Sequence, residues 1–152
     1  MVMSAPVGSK TVEVTLETAW QTIDLAQAIS EGVAESAGFE EDDIHKIGMS
    51  VREGIINAIH YGNRMQREKN VFLKFVFEPQ RLVIHMIDQG KGFEVNHVED
   101  PLAEENLMKT SGRGLLIVQA FMDEMRIGRG PNGGAELTMA KQFPRPFGDK
   151  EN

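Results

Sequence analysis

The 152-residue sequence contains no cysteine, one tryptophan and one tyrosine. Without cysteine it forms no disulfide and has no thiol nucleophile, which fits a reducing cytoplasm. Basic residues are outnumbered, and the resulting formal charge of −7 argues against direct binding to nucleic acid or to an anionic membrane. No apolar run approaches the roughly 20 residues of a membrane helix, and residues 1–10 lack the charged start and apolar stretch of a signal peptide. We therefore expect a cytoplasmic protein that contacts neither nucleic acid nor membrane.

What is present is the composition of one globular domain, 41% hydrophobic and 26% charged, in a length that suits a single core. Residues 1–9 and 144–152 are polar and are predicted to be flexible tails around one domain at 10–143. Hydrophobic periodicity predicts a strand at 11–17, helices at 19–37 and 40–61, strands at 71–78 and 81–87, a helix at 114–125, and strands at 125–129 and 135–143. The strands on either side of Pro79-Gln80 form a predicted hairpin.

Polar residues interrupt the second predicted helix at one stripe, where Glu53, Asn57 and His60 are spaced four and three residues apart. The oxygen of an amide suits Mg²⁺, and a carboxylate one turn away can accept a proton from a hydroxyl or orient a water. The alternative is a solvated glutamate beside an asparagine that makes only a local contact. For His60 we favour a structural role at the helix end over contact with a ligand.

A second polar patch, Asp88-Gln-Gly90-Lys-Gly92, follows directly after a hydrophobic run. Glycines at these positions allow positive φ and let a flat ring approach the backbone closely. The Asp88 carboxylate can then accept a hydrogen bond from an exocyclic amine such as that of adenine. An ordinary tight turn is the alternative, although the chain continues into a long polar loop rather than a strand.

A third patch, Thr110-Ser111-Gly112-Arg113-Gly114, immediately precedes another helical pattern. Backbone N–H groups and the positive end of a helix dipole bind phosphate at such a place, and Thr110 or Ser111 can also be an ordinary N-cap. The acidic, unperiodic segment before it is long for a compact domain, and such loops are usually functional. Each patch alone is weak evidence, but the three in this order predict a nucleotide site.

The three patches resemble the GHKL superfamily of ATPases and kinases. Glu53-x-x-x-Asn57-Ala is similar to its N box, Asp88-x-Gly90-x-Gly92 to its first glycine box, and Gly112-x-Gly114 to its second. Within the superfamily the chain looks most like the anti-sigma-factor serine kinases of the RsbW and SpoIIAB type. The resemblance covers about residues 10–142 and implies an α+β, two-layer α/β sandwich, the Bergerat ATP-binding fold. Its mixed, mostly antiparallel sheet has about three helices on one face.

Carried over by position, the resemblance implies that Glu53 is the catalytic base, that Asn57 binds Mg²⁺, and that Asp88 reads the adenine amine. Residues 94–111 correspond to the lid over the ATP. Further contacts to the nucleotide are implied for a set that combines the glycine boxes, the end of the lid and the last strand: Gly90, Gly92, Lys109, Ser111, Gly112, Arg113, Gly114 and Thr138. Where some members carry an arginine before the lid's Ser-Gly, this chain has Thr110, so Lys109 or Arg113 is expected to meet the phosphates.

Such proteins are Mg-ATP-dependent serine/threonine-protein kinases that phosphorylate a serine of a STAS-domain anti-anti-sigma protein and, when free, bind a sigma factor. An ATP-gated module that sequesters its partner without phosphoryl transfer is the alternative. The catalytic half of a histidine kinase fits less well, because only about forty residues precede the second helix. The helix that begins near Trp20 is one candidate for a homodimer face, although a single tryptophan is more often a buried core residue.

Overall fold

The computed structural model describes residues 10–91 and 114–145. Along the chain these residues form β1 (Lys10–Glu17), α1 (Gln21–Ser36), α2 (Glu41–Ile56), a π-helix (Asn57–Gly62), β2 (Asn70–Phe77), β3 (Arg81–Ile87), α3 (Gly114–Phe121), β4 (Glu124–Arg129) and β5 (Ala135–Gln142). None of the helices within these ranges is long and apolar enough to cross a membrane.

The five strands form one sheet in the order β1-β2-β3-β5-β4, and each neighbouring pair is antiparallel. The β2–β3 hairpin is therefore confirmed. In the β3–β5 pair Ile87 lies opposite Glu136, so the residue that follows β3 emerges beside the residue that begins β5. This register places Asp88 next to Ala135, and it locates the candidate site at this end of the sheet.

One face of the sheet is covered by the helices, which confirms the predicted two-layer α+β fold. Alternate residues of the central strands, such as Phe75, Ile84 and Met139, are fully or almost fully buried against the helices. From α2 the apolar stripe of Ile47 and Val51 enters the same core. The helix α2 thus has one side in the core, and its polar stripe turns toward the end of the sheet.

The polar stripe continues from α2 into the π-helix without a break in the chain. At its end the Asn63 N–H donates to the Ala58 carbonyl at 2.7 Å, an i to i−5 bond in place of the i to i−4 bond of an α-helix. The predicted stop at Gly62-Asn63 is confirmed. The change of hydrogen-bond register was not predicted, and π-helical turns of this kind are frequent at functional sites.

Two predictions of local structure are wrong. The third helix ends at Phe121 and not at 125, because the Asp123 N–H pairs with the Ala140 carbonyl at 2.9 Å and the chain joins the sheet. Trp20 is 57% exposed rather than buried. It precedes α1 and lies off the stripe of small residues through which that helix packs, so its indole contacts the ring of His60 instead.

Candidate functional site

A cavity of about 250 Å³ opens between the α2–π-helix segment and the end of the sheet where β3 stops and β5 begins. Its volume is near the lower end of the range of about 300–1,000 Å³ for small-molecule sites. The described residues that line it combine an apolar floor with a few polar side chains: Gly54, Asn57, Ala58, Tyr61, Gly62, Arg64, Met86, Asp88, Lys91, Leu115, Ile127, Ala135 and Leu137. A flat apolar group with one polar edge fits such a lining.

Asp88 is the buried carboxylate of this cavity, with 6% of its surface exposed. Its Oδ1 accepts hydrogen bonds from the backbone N–H groups of Gly90, at 2.9 Å, and Ala135, at 3.0 Å. Burial raises the pKa of Asp88 above its ordinary value, and the two N–H donors and the charge of Lys69 oppose that shift. Oδ1 is bound twice and no donor to Oδ2 is found among the described residues, so Oδ2 is the oxygen that we assign to a ligand.

Glycines surround Asp88 because no side chain would fit there. A Cβ on Gly62 would collide with Asp88 Oδ2, one on Gly90 with the Gly62 carbonyl oxygen, and one on Gly134 with the Asp88 carbonyl oxygen. None of these three glycines has positive φ, so close approach is what requires them. Sequence reasoning singled out Gly90 for a different role, as room for a flat ring, and that role stays a prediction. It missed Gly62 and Gly134, although the Gly133-Gly134 pair at the start of β5 was a visible signal.

Asn57 begins the π-helix and lines the cavity. Its Oδ1 is shielded from solvent and has no hydrogen-bond partner among residues 10–91 and 114–145. A buried polar atom without a partner costs roughly 1–3 kcal/mol, so natural proteins rarely leave one unless a ligand or ion completes it. An amide oxygen is a ligand of the kind that Mg²⁺ uses, and the residue present therefore fits the predicted metal.

Glu53 lies one turn before Asn57, beside the start of α3. Its Oε1 is 2.8 Å from the position that a Cβ on Gly114 would take, so only glycine lets the carboxylate come this close to the helix N-terminus. The structure thus brings together two predicted site residues that are far apart in the sequence. Glu53 is not among the residues that line the cavity, although its neighbour Gly54 is.

Two cations of the cavity were not singled out from the sequence. Arg64 and Lys91 both line it and are exposed to solvent. Arg64 directly follows Gly62-Asn63, and Lys91 lies between the glycines of the Asp88 patch, so their neighbours in the sequence were the available signal. Gly92, Lys109, Ser111, Gly112 and Arg113, together with the lid segment 94–111, fall outside the described residues.

Thr138 and His60 are not brought to the cavity. Thr138 follows Leu137, which lines the cavity, and side chains alternate along a strand. Accordingly, Thr138 Oγ1 lies 3.3 Å from His85 Nδ1, which is also 3.0 Å from Glu136 Oε2, on the sheet face away from the helices. His60 is exposed and packs against Trp20 and Tyr61, and its favoured structural role at the helix end stays a prediction.

Known proteins of similar sequence include kinases and anti-sigma factors. A serine-protein kinase RsbW of Bacillus licheniformis is 28% identical over 120 residues, which are 75% of this chain and 74% of the relative. An anti-sigma F factor of Oceanobacillus iheyensis is 26% identical over 106 residues, covering 68% and 73% of the two chains. The sequence profile of the histidine kinase-like ATPase domain matches residues 16–141.

The fold is shared with a solved structure. The RsbU and RsbW domains of a Mycobacterium tuberculosis protein superpose with a TM-score of 0.60 at 18% identity. The match covers 91% of this chain and 34% of that longer chain. The solved structure shows the shared fold, and the profile match over residues 16–141 shows that the chain belongs to the family of histidine kinase-like ATPase domains.

Proposed function

We propose that the protein is a Mg-ATP-dependent protein serine kinase and anti-sigma factor that acts by partner switching. Its substrate is a serine of a STAS-domain anti-anti-sigma protein, and in its free state it binds a sigma factor. The observation that carries this proposal is the position of the Glu53 carboxylate, beside the N-terminus of α3 and one turn from the unpartnered Asn57 oxygen. Relatives named as serine-protein kinases and anti-sigma factors support it.

The base of the nucleotide is assigned to the Asp88 end of the cavity. The free Oδ2 of Asp88 accepts the exocyclic amine of adenine, and the apolar floor formed by Met86, Ile127 and Leu137 packs against the ring. From there the phosphates extend toward Asn57 and the N-terminus of α3. A helix N-terminus favours phosphate through its free N–H groups and its dipole.

Asn57 Oδ1 would hold Mg²⁺ together with phosphate oxygens. When bound, the ion supplies positive charge that neutralises the phosphates. In residues 10–91 and 114–145 no group of three or more His, Asp or Glu side chains is arranged to hold a metal ion. Phosphoryl transfer needs little covalent chemistry from the protein, so the residues of this chain contribute by positioning and by moving one proton.

Glu53 is the proton acceptor. As the substrate serine oxygen forms its bond to the γ-phosphorus, its proton passes to the Glu53 carboxylate. The bond between the γ-phosphorus and the bridging oxygen breaks, and its electron pair leaves with ADP. A general base of this kind contributes about 10²–10⁴-fold to a rate.

The test is transfer of label from γ-labelled ATP to a STAS-domain protein by the wild type and by Glu53→Gln. We expect transfer to fall about 10²–10⁴-fold in the variant while ATP affinity stays within about twofold. Glu136→Gln is the matched control, because Glu136 is a partly buried glutamate that contacts His85 away from the cavity. An unchanged rate in Glu53→Gln would show that Glu53 is not the base.

One observation favours a second function, in which the protein binds ATP and sequesters a partner without phosphoryl transfer. Asp88 and Asn57 line the cavity, whereas Glu53 stands beside it. The same labelling experiment separates the two functions. ATP bound by the wild type, with no label moved to the STAS-domain protein, would favour the binding module.

A further inference from the structure

Asn63, which follows the π-helix, has a fully buried side chain whose amide is hydrogen-bonded on every side. Its Nδ2 donates to Thr18 Oγ1 at 2.9 Å and to the Asn70 carbonyl at 3.0 Å, and its Oδ1 accepts the Gln89 N–H at 2.7 Å. The reverse orientation of the amide would set its donors against the Gln89 N–H and its oxygen against the Asn70 carbonyl. The partners therefore specify one orientation of the side chain.

The Gln89 N–H belongs to the peptide bond that directly follows Asp88. The Asn70 N–H donates to the side-chain Oε1 of Gln89 at 2.7 Å. Both backbone groups of Asn70 are thus used to hold this turn, one through Asn63 and one through Gln89. The turn that carries Asp88 is fixed to the start of β2 by two independent bonds.

The Asn63 side chain is in turn positioned by Thr18. Thr18, which is 1% exposed, accepts from Asn63 and donates its own hydroxyl hydrogen to the Lys69 carbonyl at 2.6 Å. The next two residues, Arg64 and Met65, have φ of 52° and 59°, in the left-handed region that costs a non-glycine residue roughly 1–3 kcal/mol. The chain adopts this turn where it delivers Asn63 to the peptide after Asp88.

We propose that Asn63 is a positioning residue that sets the specificity of the cavity for the 6-amino group of adenine. It holds the Asp88–Gln89 peptide so that Oδ1 meets the N–H groups of Gly90 and Ala135 and Oδ2 is left free. Without this bond the carboxylate turns, and its free oxygen no longer stands at one place. The inference rests on the proposed binding of ATP through Asp88.

The test compares the affinities of ATP and of purine riboside triphosphate, which lacks the 6-amino group, by titration calorimetry with Mg²⁺. A hydrogen bond to a charged group predicts that the wild type prefers ATP by roughly 10–100-fold. In Asn63→Ala we expect the preference to fall to within about threefold. Asn63→Asp keeps an acceptor for the Gln89 N–H, so it should retain the wild-type preference although its unfolding temperature falls.

The control for a purely structural role is Thr22→Val, because the Thr22 hydroxyl donates to the Glu17 carbonyl at 2.7 Å in a buried position away from the cavity. It loses a comparable buried bond and should lose stability with the preference unchanged. If Asn63→Ala does not fold, Thr18→Val removes one of the three bonds of Asn63, and the preference should fall by roughly threefold.

The outcomes separate the inference from the proposed function. A folded Asn63→Ala, or Thr18→Val where that variant carries the test, with the wild-type preference for ATP overturns the inference and leaves the proposed function in place. A wild type that binds neither nucleotide overturns both. A wild type that binds both equally shows that Asp88 does not read the amine, and this also overturns the inference.

Discussion

The two sides of the cavity differ in their hydrogen bonding. On the Asp88 side, groups of the protein itself donate hydrogen bonds to the carboxylate. On the α2 side, the Asn57 amide oxygen is buried without a partner among the described residues. Backbone N–H groups hold the Asp88 turn: those of Gly90 and Ala135 donate to Oδ1, that of Gln89 donates to Asn63, and that of Asn70 donates to the Gln89 side chain. Within the part of the chain that the structure describes, no donor holds the oxygen of Asn57. The hydrogen bonds of the Asp88 side are therefore formed within the protein, whereas the Asn57 side has an oxygen that a ligand can still engage.

The difference indicates that the two sides do different work. A base is a rigid planar group, so a wall that recognises it gains from being formed before binding. A metal ion that is shared with phosphates binds together with the nucleotide. Before binding, the side that contacts the metal therefore carries the buried, unpaired Asn57 oxygen, which costs free energy. The base side is preorganised, and the metal side is completed by what it binds.

The largest expected effect comes from filling the space beside Asp88. In Gly62→Ala the new methyl group collides with Asp88 Oδ2, so we expect ATP affinity to fall by roughly 10–100-fold, as the reading oxygen is displaced and its charged hydrogen bond is lost. Calorimetric titration with ATP measures the change. Gly32→Ala is the control, because a Cβ on Gly32 meets nothing within 4 Å in the middle of α1.

That control should leave binding unchanged and should stabilise the protein by roughly 0.5–1 kcal/mol, since alanine is the better helix former. If Gly62→Ala binds ATP as the wild type does, the base side is not preorganised as the structure indicates.

A smaller effect is expected on the other wall. Asn57→Ala should remove the dependence of ATP affinity on Mg²⁺, while affinity without the metal stays within about threefold of the wild type. Because the variant loses no hydrogen bond of Asn57 Oδ1 and removes an unpartnered buried oxygen, the free energy of unfolding should not fall by more than about 1 kcal/mol. Titrations with and without Mg²⁺, together with denaturant unfolding, measure both quantities.

Asn63→Ala provides the contrast, since it breaks three hydrogen bonds of a buried amide and should cost about 2–4 kcal/mol. An equally large loss of stability in Asn57→Ala would remove the distinction between the two walls.

The smallest effect is a pH dependence of adenosine binding, for which no phosphate titrates. Burial raises the pKa of Asp88, and the ionised form is the better acceptor for the amine. Adenosine affinity should decline as the pH falls through that raised pKa. The decline should begin at a higher pH than the ordinary aspartate pKa of about 3.9 would give. Asp88→Asn should bind adenosine more weakly at neutral pH and without this pH dependence.

The same shift acts on stability with a definite sign. Because the folded state takes up the Asp88 proton more readily than the unfolded state, the contribution of Asp88 to stability is greatest at low pH and is lost as the pH rises through its folded pKa. Thermal unfolding of the wild type and Asp88→Asn across this pH range measures that contribution.

A decline in adenosine affinity that began only below the range of an ordinary aspartate would contradict the raised pKa.

Much of the fold was predictable because its signals are local. Alternation and helical periodicity placed β3 correctly, as well as the other strands to within one residue at either end, and the Gly62-Asn63 stop was read correctly. The end of α3 was not predictable, because Asp123 leaves the helix to pair with Ala140 across the sheet. Trp20 was misplaced for a related reason, since its environment depends on how closely α1 packs.

The candidate site shows the same division. Glu53, Asn57 and Asp88 were recognisable from residue type and spacing, and the structure places all three at or beside one cavity. Thr138 was assigned to the same site, but the strand directs it to the opposite face, where it meets His85. The roles of the residues in the lid segment 94–111 stay predictions.

By itself the sequence determined which side chains carry chemistry and which local elements carry them, because residue type, spacing and periodicity are properties of short stretches of chain. Only the tertiary structure decided which groups meet. Two of the bonds that hold the Asp88 turn join residues 26 and 47 positions apart, and these pairings depend on strand register and close backbone approach. Asn63 was visible in the sequence as the end of a helix, and only the fold shows that its side chain bonds to the peptide after Asp88.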